Sequence, residues 1–550
     1  MAELRLIEYH PQRVLEAFRR GEFDQLEIIG QADEKEFFEL CLKEKILDAL
    51  AEAMPTTRKK EEVPKWFVLA ANLSLKLHLE NSFYAFERVV RCGGLLSALP
   101  PEIASKHLAP QTQQILLECR GFNDKNHYQR TTPCDQDFLR KFVRDVPAAD
   151  WQAWFNGAVQ RSFQRYGFFD PAGIFIGDGS YLFVPDNPEY EGSVVMWFDE
   201  HNHPVKYEEL SPQERKQAHR ERCYKLVSLL HLRGDCYVYA GLAVLPGNAH
   251  ECPVLYELVE QLVKAVGQGV IKLLILDRGF IDGKNLTRCK QQWDIDVLLP
   301  MKRKMDIWED AWALGQRCPW QELPAPVLPP KPIPAHRPEA IVRRERTRQK
   351  TLAAKSAQGP PPDPARVLVR TEVCPIQRFS SWSQCEVPIH VLLIRETYAD
   401  QHQDQWALMD TRPVGPSSRE QYRLRTKIEE RHRLLKCFHD LSDFHSRCFN
   451  VIVAQVVFIL LSYTLRQWQL WKFRQQDLAG KTPGLLGRQL NLHSEQVVIY
   501  YQNAYTRMPL LTFSRQLLEL PAQARARALK RLRHLEQSFL TPLENLRAPP

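Results

Sequence analysis

Apolar positions along this chain change period several times, and each change predicts a change of element. Within the first 150 residues, "VPKWFVLAANLSLKLHLENSFYAFERVVRCGGLLSAL" spaces its apolar residues at helical intervals, with Gly93-Gly94 as punctuation. From about residue 171 the texture turns to strands. "GIFIGDGSYLFV" (Gly173 to Val184) is rich in β-branched and aromatic residues. Cys223 to Leu232 and Cys236 to Leu245 read as a hairpin turning at Arg233-Gly234-Asp235. Glu251 to Val266 has helical period, and "IKLLILD" (Ile271 to Asp277) is the short continuous apolar run of a buried central strand. A short helix near 281–291 and a strand at Asp294 to Pro300 follow. The predicted order is three strands, helix, strand, helix, strand.

The pattern then breaks. Residues 321–365 are loaded with proline and basic residues, a composition that builds no core and reads as a linker or mobile arm. "RVLVRTE", "VPIHVLLIRE" and "QWALMD" predict strands, the last ending at Asp410. Helical period returns from about Arg419 to the late 430s and again from about 444 to 472. Inside the second stretch, Val451 to Tyr463 is a 13-residue run that is apolar apart from Gln455 and Ser462. That is too short to span a bilayer and fits a buried core helix. "PAQARARALKRLRHLEQSFL" near the C-terminus is a basic amphipathic helix, and no internal repeat stands out.

Composition adds little to this picture, and charge a little more. Hydrophobic residues are 44% and charged residues 25%, ordinary for a soluble globular protein. The formal charge is only +8, but it is clustered, in "RKK" (Arg58 to Lys60), "MKRK" (Met301 to Lys304) and "RRERTRQK" (Arg343 to Lys350). Several such runs favour a polyanionic partner. The 13 cysteines show no C-x-x-C spacing, which argues against zinc fingers and a disulfide framework and for reduced thiols in a cytosolic protein. The first 20 residues lack the apolar core of a signal peptide. No G-x-x-x-x-G-K-[ST] loop is present, so no nucleotide cofactor is expected.

Two carboxylates sit where burial is costly. Asp178 lies inside the first strand and Asp277 ends the fourth. The first and fourth strands can lie side by side, and two aspartates on adjacent strands make a hard, oxygen-rich site for Mg²⁺. Either could instead be a strand-end residue capping a turn. Glu429, in "YRLRTKIEERHRLLK" (Tyr422 to Lys436), can be the third group. On one helix Tyr422, Arg425, Glu429 and Lys436 share a face, and Leu424, Ile428, Arg431 and Leu435 share the adjacent one. Glu430 lies about 100° away and is the poorer candidate. Taken alone, this stretch also reads as a surface helix laced with ion pairs. Asp186, Asp282, Asp294 and Asp296 sit at element borders, where turn or capping roles are expected. His432 is three residues after Glu429, but a lone element of that spacing does not make a metal site.

That stretch matches Y-x2-R-x3-E-x6-K at every fixed position. It resembles the signature of a large family of bacterial insertion-sequence transposases with a DDE active site. "DRGF" at Asp277, "YKL" at Tyr224 and "LPGNAHE" at Leu245 are similar to other motifs of that family, and the resemblance covers roughly 171–470. It implies an α/β fold, an RNase H-like catalytic core interrupted by a mostly β insertion, with helical regions at both ends. The implied segments are 1–150 (helical, possibly binding DNA ends), 151–302 (first part of the core), 303–418 (insertion with the proline-rich stretch), 419–475 (Glu429 helix and closing core helix) and 476–550 (basic, helical).

The resemblance makes Asp178, Asp277 and Glu429 the catalytic, metal-binding triad for Mg²⁺, with Mn²⁺ as substitute. It implies cleavage at transposon ends to free a 3′-OH, then strand transfer into target DNA. The partners implied are DNA ends with terminal inverted repeats, target DNA and a second copy of the chain in the synaptic complex, with no membrane. Tyr422, Arg425 and Lys436 would contact DNA phosphates, as would Arg278 beside the second aspartate and Lys302 and Arg303 in the MKRK run. Hairpin-forming members stack a flipped base on Trp; Trp293, Trp308, Trp312, Trp320 and Trp382 are candidates. The implied location is the bacterial cytoplasm, at the nucleoid. A catalytically silent DNA-binding derivative and a metal-dependent nuclease without strand transfer are the alternatives. The charged span 186–222 and the proline-rich stretch depart from a compact member of the family.

Overall fold

The computed structural model describes residues 5–545 except 7, 30–31, 62, 87–88, 90–93, 96–104, 109–114, 119–133, 325–367, 485, 487–495 and 503. The chain divides into two compact units. One comprises Met1–Gly173, Asp178–Val270 and Ile428–Pro550; the other comprises Ile174–Gly177 and Ile271–Lys427. The fold is mixed α/β, with one large mixed sheet among its elements.

In the second unit the strand order is Gln321–Leu323, Leu368–Phe379, Ile389–Tyr398, Gln403–Asp410, Asp296–Pro300, Leu273–Ile275 and the start of Ile174–Val184. The last three run parallel, Ile176 facing Ile275 and Ile275 facing Leu298; the others pair antiparallel. Leu273, Leu274 and Ile275 are buried, as their continuous apolar run requires. Helix Gly283–Trp293 connects the two parallel strands and starts at Asp282, whose side chain accepts from Asn285 N at 3.1 Å. Gly283 is needed there, since a Cβ would lie 2.4 Å from the Gln384 carbonyl oxygen. The proline-rich stretch expected at 321–365 begins instead with strand Gln321–Leu323, and from residue 325 it lies outside the described residues.

In the first unit, His219–Arg233 and Cys236–Pro246 form the expected hairpin. Helix Phe449–Lys472 is long and apolar enough to cross a membrane, but 89% of its most apolar window is buried inside the protein, which makes it a core helix. The outer edge of Cys236–Pro246 is closed by side chains instead of a strand. Tyr237 N donates to Gln467 Oε1, Tyr239 N to Thr464 Oγ1, Leu242 N to Asn156 Oδ1 and Val244 N to Gln152 Oε1. Asn156 also donates to the Leu242 carbonyl at 2.9 Å. Exposed strand edges are templates for unwanted pairing, and burying one obliges every N–H to find a partner. Asn156 belongs to a π-helical turn, Phe155–Val159, between helices Ala148–Trp154 and Gln160–Arg165.

Strands also appear in three regions where the sequence pattern does not place them. The N-terminal region is not helical throughout: besides helices such as Lys65–Leu77 it contributes strands Gln25–Ile29, Ser105–Leu108 and Ile115–Glu118. Nor is the C-terminal region purely helical. The β-branched and aromatic run "QVVIYY" forms strand Gln496–Tyr501, which pairs with Ala504–Pro509 and with Gln25–Ile29. The charged span 186–222 contains strand Val194–Phe198, whose "VVMWF" pairs antiparallel with Cys223 back to His219.

Most of the described cysteines are buried. Burial pushes the Cys289 thiol up to about 12 and those of Cys223 and Cys236 up to about 11. Cys437 is exposed. In native protein, brief alkylation read by mass spectrometry is expected to label Cys437 before these three, because reaction needs both access and thiolate. Equal labelling of Cys289 would contradict the packing.

Candidate active site

Strand Ile174–Val184 is buried at Phe175, Ile176 and Gly177, half-buried from Asp178 to Tyr181 and buried again at Leu182 and Val184, so the aspartate opens a half-buried stretch within the strand. In the first unit, His432 Nδ1 lies 3.8 Å from Asp178 Oδ2, and its Nε2 is 2.9 Å from Ser228 Oγ. Burial, with Lys436 adding to it, pulls His432 down to about 3, so the ring is neutral at physiological pH. Lys436 donates to Ser180 Oγ at 2.7 Å. Burial pulls its ammonium down to about 8, and Asp178 acts in the opposite sense.

The next residue, Gly179, makes room for another carboxylate. A Cβ there would lie 2.2 Å from Glu251 Oε2. Glu251 opens helix Glu251–Val266 and sits 3.5 Å from Lys225 Nζ, which also donates to the Ala249 carbonyl. Lys225 and Glu251 lie inside the YKL and LPGNAHE motifs, which assign them no role, and Ser228 lies in no motif. The traceable signal is polar residues inside apolar strands, since Lys225 and Ser228 are both buried in His219–Arg233.

The third carboxylate lies on helix Thr426–Phe438. Ile428, Arg431, His432, Leu434 and Leu435 are buried, whereas Glu429 is exposed and Glu430 half-buried. Arg431 packs its guanidinium 4.5 Å from the Tyr237 ring centre and donates to the Tyr463 hydroxyl at 3.4 Å. The expectation of one helix carrying Tyr422, Arg425, Glu429 and Lys436 on one face does not hold. Helix Pro416–Arg423 ends first, and Leu424 N, Arg425 N and Lys427 N each bond the carbonyl three residues back, at Gln421, Tyr422 and Leu424. Thr426 Oγ1 donates to the Arg423 carbonyl at 2.9 Å. These tight i to i+3 turns change the rotation per residue, so spacing no longer preserves phase across the break. Glu429 and Lys436 share the second helix; Tyr422 belongs to the first.

In the second unit Asp277 follows strand Leu273–Ile275 by two residues. Its Oδ1 accepts from Arg278 N at 2.7 Å and caps the turn Arg278–Phe280. Arg425 stands 3.9 Å from Asp277 Oδ2. Arg278, Lys302 and Arg303 are exposed, and Arg303 donates to the Gln405 carbonyl at 2.9 Å. The Tyr422 ring centre is 6.3 Å from that of Trp406. Trp293 and Trp382 are buried, and Trp308, Trp312 and Trp320 are half-buried, so none is an open stacking platform. Asp282 and Asp294 have the border roles expected of them, starting and ending a helix, whereas Asp296 pairs with Lys290 and accepts from Thr411 Oγ1, each at 2.9 Å. Asp186 instead pairs with Arg222 at 3.1 Å. Among the described residues, no group of three or more His, Cys, Asp and Glu is drawn together to hold a metal ion.

No curated protein matches the chain. One solved structure that it resembles is a piggyBac transposase synaptic complex with hairpin DNA. The identity is 8% and the TM-score 0.32, over 89% of this chain and 83% of that one. A likeness of that size carries no argument. The family model described as "Transposase DDE domain" matches residues 190–465, a span that holds Asp277 and Glu429 and begins after Asp178. Since that span is half of the chain, the protein belongs to the DDE-domain transposase family.

Proposed function

We propose that the protein is an active DNA transposase that cuts at the ends of its element and joins them to target DNA by metal-assisted phosphoryl transfer. The observation that carries this beyond family membership is the parallel pairing in the second unit. Asp178 lies inside strand Ile174–Val184, and Asp277 follows the end of strand Leu273–Ile275 by two residues. This supports an RNase H-like core in which Asp178, Asp277 and Glu429 serve together.

Carboxylate oxygens are the donors that a hard divalent cation takes, so the three residues suit Mg²⁺ or Mn²⁺ by chemistry. When bound, such ions support an ionised oxygen nucleophile and stabilise the leaving oxygen. The chain's own residues do the rest. Arg425, beside Asp277, and Lys436, on the Glu429 helix and hydrogen-bonded to Ser180, supply cations for DNA phosphates. Tyr422, Arg278, Lys302 and Arg303 take backbone phosphates further along the DNA. His432, neutral and held by Ser228, fixes the Asp178 strand against the Glu429 helix without adding charge. Two copies of the chain hold two ends, and the protein acts where its DNA lies.

The test uses full-length protein and a labelled duplex carrying the DNA that flanks its own gene, with Mg²⁺ or Mn²⁺. Cleavage at the inverted-repeat boundary leaving a 3′-OH, followed by joining to a second duplex, is the expected result. Cleavage without joining would leave a nuclease. Binding with no cleavage in either metal would leave a silent DNA-binding derivative.

A further inference from the structure

The two ends of the chain fold together. Strand Gln25–Ile29 pairs with Gln496–Tyr501, and helix Pro11–Arg19 contributes Val14 and Phe18 to a core shared with Leu26, Val497, Ile499, Met508 and Phe513. Helix Ala522–Asn545 closes this module through Ala528, with Ala524 and Leu532 packed beside it. The approach is close. Gly21 has φ +81°, and a Cβ there would lie 2.4 Å from Ala524 Cβ. Arg527 donates to the Gly21 carbonyl and lies 4.9 Å from the Phe23 ring centre, while Arg525 donates to the Leu518 carbonyl at 3.3 Å.

Between Ala522 and Arg533 the sequence holds five cations and no acid. Arg525 and Arg527 are used by the fold. At about 100° per residue, Lys530 and Arg533 fall opposite the Ala524, Ala528 and Leu532 face, and both are exposed. Their neighbours on that outward face are Gln523 and Ala526. Leu529, 39% exposed, borders this face, but cation without acid suits a polyanion.

We propose that this module, built from both ends of the chain, is a DNA-docking surface whose Lys530 and Arg533 take phosphates of duplex DNA. The identity of the polyanion rests on the transposase reading. The outward cations sit about one helical turn apart, so they meet neighbouring backbone phosphates and supply affinity without reading sequence. Because the helix docks on residues 21–23, docking requires both termini.

The test compares full-length wild type with Lys530→Gln/Arg533→Gln and with a control of equal charge change, Arg161→Gln/Lys264→Gln. Binding to the gene-flanking duplex and to a random duplex of equal length is measured across salt concentrations, with thermal melts confirming folding. The outward-face variant is expected to lose roughly tenfold in affinity on both duplexes, and its salt slope to fall by about 1.8, for two phosphate contacts. The control should match wild type. An unchanged slope, an equal loss in the control, or wild type that binds anionic vesicles and not duplex would each overturn the proposal. Cleavage is scored in the same reactions. Wild type that cuts while the variant keeps its slope removes the docking surface and leaves the transposase reading intact; the expected slope change without any cleavage does the reverse.

Discussion

Asp178→Asn protein is expected to bind the gene-flanking duplex as wild type does and to cut it about 10³-fold more slowly or worse. That corresponds to about 4 kcal/mol of lost transition-state stabilisation. The change is nearly isosteric, so the strand, Ser180 and the Lys436 hydrogen bond can stay in place; what disappears is one ionised oxygen donor. Asp178 is the most informative of the three carboxylates because it lies outside the matched span, which begins at residue 190. Its side chain is only 14% exposed and stands near His432 and Lys436. The loss of charge beside a partly buried ammonium also costs some stability, so a melt must accompany the rate. If Asp277→Asn and Glu429→Gln abolish cleavage and Asp178→Asn does not, the first carboxylate has been misassigned. Glu251, packed against Gly179, would then be the residue to replace next.

Period and apolar run length made most of the central sheet legible. The hairpin, the helix at Glu251–Val266 and the strand at Leu273–Ile275 lie where the sequence places them. These elements are long or wholly buried, and their patterns are set by one dominant force. Elements that failed to show were decided by context. "VVMWF" is five residues inside a charged span and becomes a strand by pairing with His219–Cys223. "QLEII" near the N-terminus takes its partner from Gln496–Tyr500, a contact that no local window reveals. Asp178 and Asp277 stand out in the sequence as charges in costly positions, whereas Glu429, which is exposed, is picked out by motif resemblance alone. The break at Leu424–Arg425 was not, because the turn is made by backbone bonds to carbonyls three residues back, whereas side-chain spacing assumed an unbroken α-helix. His432 was weighed only as a metal ligand on its own helix. Its contacts to Ser228 and Asp178 come from strands some 200 residues away, since Ser228 is 204 residues from it.

The largest stability effect is expected far from the carboxylates. Asn156→Leu should destabilise the protein by about 3 kcal/mol, since it strips partners from two buried backbone groups at roughly 1–3 kcal/mol each. Asn156 is 5% exposed, and its amide accepts from Leu242 N at 2.9 Å and donates to the Leu242 carbonyl at the same distance. Leucine has the volume but neither function, so no cavity explains the loss. For a folding unit of this size, the apparent melting temperature should fall by roughly 4 °C. Hydrogen exchange at the Leu242 amide should accelerate in parallel. Gln152→Ala removes one acceptor, from Val244 N, and Gln152 is itself half-buried, so its cost should be nearer 1 kcal/mol. The order of the two variants is the test. If the side chains truly close the edge of Cys236–Pro246, Asn156→Leu is the worse of the pair and alone exposes Leu242 to exchange. If both melt within about 1 °C of wild type, that edge finds other partners, and the π-turn that presents Asn156 has no structural purpose at this strand.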